Sequence, residues 1–528
     1  MRWKPVLTSG VMSSIVGSDE QVAIWDRILK TDDNIIVDAV AGSGKSTTAF
    51  EAARRINPVA NIDYATRGRK RVGYLVFGRA NRNEMMERAG DSMEALTFHS
   101  LGLRALRKVY PKLEVDKSGQ GMWTAIDTIF GDRGGPAAAN DWKLKGAAKR
   151  LVGLCKQYDA RLTAEIATVL DTHDIDTPDD DLAIEVAQSV LEYQRHNRKL
   201  EAVTFDDMCW LPKVWELPIE PYELVFVDEA QDLNNVQRWI AVHSAERHVV
   251  IGDANQAIYA FRGASGDSMG ELRSDLEEHA GENDWCIDMQ LTRTRRCPFT
   301  HVELAQKLVP HIRALDDAPM GSVDVVSEAG AHQRATVGDL VLSRTNAPLI
   351  DCAWAILKRG VPAKVLGTDI GDGVVRLIDS YGECATVAAL LCEAEDITEV
   401  KIREMRRSHP ERNRNRIAAA EDRLECLVAL SQGCSTPDDL RNKIARLFTD
   451  KAERGTVTLG TIHRTKGMEA GRVWLLEAGT GIPHPMAKGA VQMQQERNLL
   501  YIAVTRAKYG LNGNGELKFC GGLPQWLE

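Results

Sequence analysis

The residues of this chain best suited to chemistry stand together at Ala39-Val-Ala41-Gly42-Ser43-Gly44-Lys45-Ser46-Thr47. Two glycines let the backbone curl around a polyphosphate with its N–H groups turned inward. The Lys45 ammonium then reaches the terminal phosphates, and the Ser46 hydroxyl can ligate magnesium. The pattern G-x-x-x-x-G-K-[ST] wants glycine where this chain has Ala39. A second grouping is Asp228-Glu-Ala-Gln-Asp232. Asp228 suits a magnesium ion, and Glu229 beside it can orient and deprotonate an attacking water.

Such a loop needs a strand to present it and a helix to receive its charge. Ile35 to Val37 is a short apolar run of buried-strand type, and Ser46 to Arg55 is rich in helix formers before Pro58 stops it. Asp228 follows the apolar run Glu223–Val227, which places it at the carboxyl end of a strand, where open parallel sheets bind ligands. Val72–Phe77 and His248–Asp253 read as further strands and Arg79 to Arg88 as a helix, so the alternation predicts an α/β fold with a parallel sheet. Leu103 to Leu200 is helical with polar loops and no phosphate or metal motif, which predicts an inserted helical subdomain. Ser18 opens a helix with Gln21 three residues on. The Gln21 amide either closes that cap or reads an adenine edge.

At 528 residues the chain calls for three or four domains of about 150 residues each. No run approaches the roughly 18 apolar residues of a membrane span, and the N-terminus has no sustained apolar stretch of signal type. No membrane partner and a cytoplasmic location are expected. The ten cysteines include no C-x-x-C, so reduced, structural thiols are expected. A net charge of -9 taken alone speaks against nucleic acid, but phosphate contact depends on where the basic groups lie. Arg67–Arg71, Arg293–Arg296 and Lys401–Arg423 are local basic stretches, and 171–181 is acidic.

The order and wording of the motifs resemble the UvrD/Rep-like superfamily 1 DNA helicases. The matching pieces are Ala39 to Ser46, Phe77 with Glu84-Met85, Thr97-Phe-His99, Asp228 to Asp232, and Gln256-Ala-Ile-Tyr259 with Phe261-Arg262-Gly263. Leu291–Cys297, Val341–Asn346, Thr456–Glu469, Glu496-Arg497 and Tyr501–Ala507 continue the likeness. It implies an α/β architecture of two RecA-like parallel-sheet P-loop lobes with ATP between them and inserted, mainly helical subdomains. The expected division is 1–104 with 201–285 for the first lobe, 105–200 for its insertion, 286–370 with 456–528 for the second lobe, and 371–455 for a short second insertion. About twenty residues follow Ala507, so no fused nuclease domain is expected.

The resemblance also assigns roles. With ATP and Mg2+ as cofactors, Lys45, Arg296 and Arg506 would neutralise the transferring phosphoryl group, Asp228 and Ser46 would hold magnesium, and Glu229 would activate water. Gln256 and Arg262 would couple the γ-phosphate to the nucleic-acid track, and Glu469 would approach the ribose. Phe77, Tyr259 and Phe261 would stack on bases, with Thr97, His99 and His463 along the strand. Arg295 stands where relatives place an adenine-stacking tyrosine, and Thr47 where they often place arginine. Phe261 replaces a tryptophan, and Arg79-Ala80 replaces Asn-Lys.

The expected activity is ATP-driven translocation on single-stranded DNA and unwinding of tailed duplex DNA, 3′ to 5′. The rivals are a translocase that strips proteins without unwinding and an ATP-switched DNA-binding or loading module. The segment Lys401–Arg416, with seven Lys or Arg against two Glu, is expected to touch duplex ahead of the motor.

Overall fold

The computed structural model describes residues 16–56, 71–133, 142–173, 175–258, 267–280, 286–381, 384–408, 413–450, 452–510 and 515–528. Tyr259, Phe261 and Arg262 lie outside these residues, as do 67–70 and 409–412 of the basic stretches. The chain divides into two compact units. One comprises Met1–Val40 with Gly44–Leu291, the other Ala41–Ser43 with Thr292–Glu528.

In the first unit, β1 (Asn34–Ala39), β2 (Val72–Val76), β3 (Glu94–Thr97), β6 (Leu224–Val227), β7 (His248–Gly252) and β8 (Cys286–Leu291) form one sheet. Its order is β3-β2-β6-β7-β1-β8, and every pairing is parallel. Parallel sheets of this kind are covered on both faces, which is why their strands read as unbroken apolar runs. Ile35 and Val37 of β1 pack with Tyr74 and Phe226 against Ile24, Trp25 and Phe50 of the helices Asp19–Lys30 and Lys45–Ile56. Ile36, Leu75 and Val227 face the opposite layer, which includes Phe98–Val109, Phe205–Val214 and Asn235–Val242. The expected strand and helix positions hold to within about two residues at each end, and the Thr97 motif divides between β3, which stops at Thr97, and a helix that starts at Phe98.

The insertion carries the helices Gln120–Arg133, Trp142–Tyr158, Thr163–Thr172 and Asp180–His196. Its two ends meet where β4 (Glu114–Val115) pairs in parallel with β5 (Ala202–Val203). Lys156, fully buried, donates to the Asp207 carboxylate at 2.5 Å, and Asp207 also accepts from the Thr204 hydroxyl at 2.6 Å. A charge buried this far from water is tolerated only when it is paired and hydrogen-bonded.

The second unit has a small parallel pair, β9 (Arg293–Thr294) with β10 (Arg313–Ala314). Its main sheet contains β11 (Ser322–Val326), β12 (Leu340–Ser343), β13 (Ala363–Leu366), β14 (Phe448–Thr449), β15 (Val457–Thr461), β16 (Arg472–Leu475) and β17 (Glu516–Cys520). The order is β11-β17-β16-β12-β15-β13-β14, again wholly parallel. Between β13 and β14 lie Thr368–Ser380, Val387–Ser408, Arg414–Ser431 and Pro437–Leu447, a helical excursion from the sheet. The architecture is therefore α/β with two RecA-like lobes. All ten cysteines are free thiols, and among the described residues no helix is long and apolar enough to cross a membrane.

Candidate functional site

The phosphate loop leaves the end of β1 with Gly42 at φ +72° and Gly44 at φ +88°, left-handed conformations that glycine adopts without steric cost. A Cβ on Gly44 would also stand 3.2 Å from Gln21 Nε2. The Ser43 hydroxyl is buried and has no hydrogen-bond partner in the protein, a polar atom aimed at something the chain itself does not supply. Lys45 and Ser46 begin the helix Lys45–Ile56, so the loop sits at a helix N-terminus with its partial positive charge. Gln21 is 2% exposed and committed at both ends: its Oε1 accepts from Ser18 N–H at 3.1 Å, and its Nε2 donates to Thr48 Oγ1 at 2.9 Å. The cap expected from sequence is present, and the same amide braces the helix behind the loop. Thr47 is half-buried and lies 3.5 Å from Arg88.

Asp228 stands at the end of β6 and is almost wholly buried. Burial pushes its carboxyl up to about 6, the neighbouring Glu229 charge adds to the rise, and the Tyr74 hydroxyl and Lys45 work against it. Tyr74 donates to Asp228 Oδ2 at 2.7 Å, and Glu229 N–H donates to Oδ1 at 2.9 Å. Glu229 has φ +52° and ψ +42°, a left-handed conformation that costs a non-glycine residue about 1 to 2 kcal/mol. Its carboxylate accepts from Gln231 Nε2, and Gln231 Oε1 accepts the Asp253 N–H at 3.0 Å. Asp253, at the end of β7 and wholly buried, accepts from Gln256 Nε2 at 2.6 Å; burial raises its carboxyl, against the pull of Lys45. A single polar chain thus runs from Glu229 through Gln231 and Asp253 to Gln256. Sequence reasoning named its two ends and missed Tyr74, Gln231 and Asp253.

The donors fit magnesium. Ser46 opens the helix that follows the phosphate loop and Asp228 follows β6, and a Mg2+ ion takes one or two protein oxygens and leaves the rest of its shell to water and phosphate. Among the described residues no group of three or more His, Cys, Asp or Glu gathers as a metal cluster.

In the second unit Arg296 Nε donates to Glu469 Oε2 at 2.8 Å, and Lys508 pairs with the other carboxylate oxygen. Burial would raise the Glu469 carboxyl, but Lys508 and Arg296 hold it below its usual range. Arg506, 1% exposed, donates to the carbonyls of Ile502 and Met468 at 3.0 and 3.2 Å and so ties the two motif segments together. Arg344, just beyond β12, grips Glu496 with two nitrogens at 2.7 to 3.1 Å, a pair that sequence reading left unjoined. Arg295 is exposed and His463 half-buried.

Of the strand-facing candidates in the first unit, Phe77 is half-buried just beyond β2. Thr97 uses its hydroxyl to cap the helix Phe98–Val109, accepting from Ser100 N–H at 3.2 Å. His99 meets Phe205 edge-on with ring centroids 6.2 Å apart, and Phe205 is 45% exposed. An exposed aromatic beside His99 is a nucleic-acid candidate that the sequence reading did not single out. Arg406 pairs with Glu421 at 3.2 Å and Arg403 with Glu399 at 3.8 Å on exposed helix surfaces of the second unit.

Residues 21–277 match the family model described as UvrD/REP helicase N-terminal domain, and residues 398–512 that of the UvrD-like helicase C-terminal domain. The chain is 25% identical to the ATP-dependent DNA helicase UvrD1 of Mycobacterium bovis over 418 residues, 68% of this chain and 52% of that protein. It is 24% identical to the ATP-dependent DNA helicase UvrD2 of the same organism over 579 aligned positions, 94% of this chain and 78% of the relative. To the ATP-dependent DNA helicase PcrA of Leuconostoc citreum it is 26% identical over 275 residues, 47% of this chain and 34% of the relative. The chain spans about half the length of the UvrD1 relative.

Proposed function

The chain belongs to the UvrD/Rep family of superfamily 1 helicases, and on that premise we propose that it is an ATP- and Mg2+-dependent motor that moves along single-stranded DNA and unwinds tailed duplex, 3′ to 5′. The observation that carries this reading is the grouping of Lys45, Ser46, Asp228 and Glu229 at the ends of two neighbourhoods of one parallel sheet, with Lys45 acting electrostatically on both Asp228 and Asp253.

In this reading Ser46 and Asp228 would hold the magnesium, whose charge would offset that of the phosphates. Lys45 with Arg296 and Arg506 stabilises charge on the transferring phosphoryl group, and Glu229 takes the proton of the attacking water. The chain of hydrogen bonds from Glu229 to Gln256 gives nucleotide state a route toward the segment that begins at Tyr259. Phe77, His99 and Phe205 serve the strand, together with Tyr259 and Phe261, because stacking on bases is indifferent to sequence. The four-part division into two lobes and two helical insertions is retained as part of the proposal, with the cytoplasm or nucleoid as the place of action.

The test is ATP turnover with and without single-stranded DNA, followed by displacement of 3′-tailed and 5′-tailed duplexes, with Lys45→Ala as the inactive reference. Stimulated turnover with displacement of the 3′-tailed substrate supports the proposal. Stimulated turnover without displacement points to a protein-stripping translocase, and slow turnover indifferent to DNA points to a switch.

A further inference from the structure

We infer that Tyr74 is a positioning residue for the divalent cation: its phenol holds the Asp228 carboxylate in the orientation that presents an oxygen to the metal. This rests on the reading of Ser46 and Asp228 as the metal's protein ligands.

Tyr74 lies on β2, wholly buried, with its ring 6.3 Å from that of Phe226. It is paired in register with Phe226 on β6, the strand that ends two residues later in Asp228. That register brings an aromatic chain from one strand under the carboxylate delivered by its neighbour. The phenol oxygen is 2.7 Å from Asp228 Oδ2, to which it donates.

The single phenolic proton fixes the direction. An ionised carboxylate only accepts, so Tyr74 donates to Asp228. On the carboxylate, Oδ2 is held by Tyr74 and Oδ1 by the Glu229 N–H, so the plane of the group is set from both sides. A phenylalanine would fill the same space in this core, which makes the hydroxyl the feature that packing does not explain. Partners of this kind, one bond behind the ligands, orient metal-binding groups and are energetically important for metal affinity.

The test uses the full chain and its Tyr74→Phe variant. Binding of a non-hydrolysable ATP analogue is titrated calorimetrically in EDTA and in Mg2+, and Mn2+ binding to the nucleotide complex is followed by electron paramagnetic resonance. Tyr74→Phe should bind the analogue in EDTA within about twofold of wild type, and should lose about 10- to 100-fold of the metal-dependent gain in affinity. Adding Ser46→Ala to Tyr74→Phe should cost less than the sum of the two single changes, because both act on one ligand arrangement. An undiminished metal-dependent gain in Tyr74→Phe overturns the inference and leaves the proposed function standing. Equal losses in EDTA and in Mg2+ overturn it as well, because they place Tyr74 in the packing of the loop. A wild-type chain with no metal-dependent gain overturns the reading of the site itself.

Discussion

Replacing Glu229 by glutamine should move activity and stability in opposite directions. The Asp228 carboxyl, ordinarily near 3.8, is pushed up to about 6 by burial and then by the Glu229 charge. That rise of about two pH units weighs roughly 3 kcal/mol against the ionised form in the folded chain, since one unit is worth about 1.4 kcal/mol. Burial supplies the larger share, so removing the Glu229 charge should return on the order of 1 kcal/mol of stability. The sign follows from the direction of the shift. The folded chain holds the Asp228 proton more tightly than the unfolded chain does, so stability falls as pH rises from about 4 to about 6, and the full penalty persists above that. The gain in Glu229→Gln should therefore be complete at pH 7 to 8 and vanish near pH 4. Glutamine retains an oxygen for the Gln231 contact, so the local geometry survives. It cannot take a proton from water, and turnover should fall about 10²- to 10⁴-fold, or about 2.7 to 5.5 kcal/mol of barrier, with nucleotide affinity kept. Urea unfolding across pH 4 to 8, paired with steady-state ATP hydrolysis, measures both effects. A variant less stable than wild type at pH 8, or one with turnover within tenfold of wild type, would refute the reasoning.

Three further outcomes are expected. His248 is buried and pushed down to about 4 by that burial, whereas the unfolded imidazole takes its proton near 6.5; stability should be full above that value and fall by about 3 kcal/mol on the way to pH 4. Urea unfolding of His248→Gln should show a flatter acid limb than wild type. Arg295→Ala, at an exposed position, should raise the Michaelis constant for ATP about 2- to 30-fold if the guanidinium stacks on adenine, and leave it unchanged if it does not. Changing Arg406, Arg407, Arg412 and Arg414 to glutamine should reduce strand displacement and flatten its salt dependence while DNA-stimulated hydrolysis stays near normal. The exposed Arg406–Glu421 pair lost in that variant is worth little, so thermal stability should hardly move.

What was legible in the sequence was local. Gly42 to Ser46 and Asp228-Glu229 declare themselves because each is a contiguous chemical unit behind an apolar run. Tyr74 did not, because its partner Asp228 lies far along the chain and the two meet only through the register that sets Tyr74 against Phe226. Gln231 and Asp253 were hidden for the same reason, since their contact crosses from β6 to β7. The Thr97 motif carried two messages at once. Thr97 and Ser100 form a capping box, a helix-start signal of short spacing, and that box turns the chain from β3 into the helix carrying His99. The pairing of Arg344 with Glu496 had no sequence signal, because a bidentate ion pair between distant segments leaves no spacing to read.

The pairing of β4 with β5 gives the first insertion a narrow neck. The outgoing and returning chains are bonded side by side, Glu114 against Ala202 and Val115 against Val203, so whatever lies between them begins and ends at the same place on the lobe. The intervening helices are also tied to the lobe by packing, since Leu151, Val152 and Ile166 lie in the same buried core as Leu75 and Val225 of the sheet. The insertion is thereby anchored twice, at the paired strands and through the core it shares with the lobe.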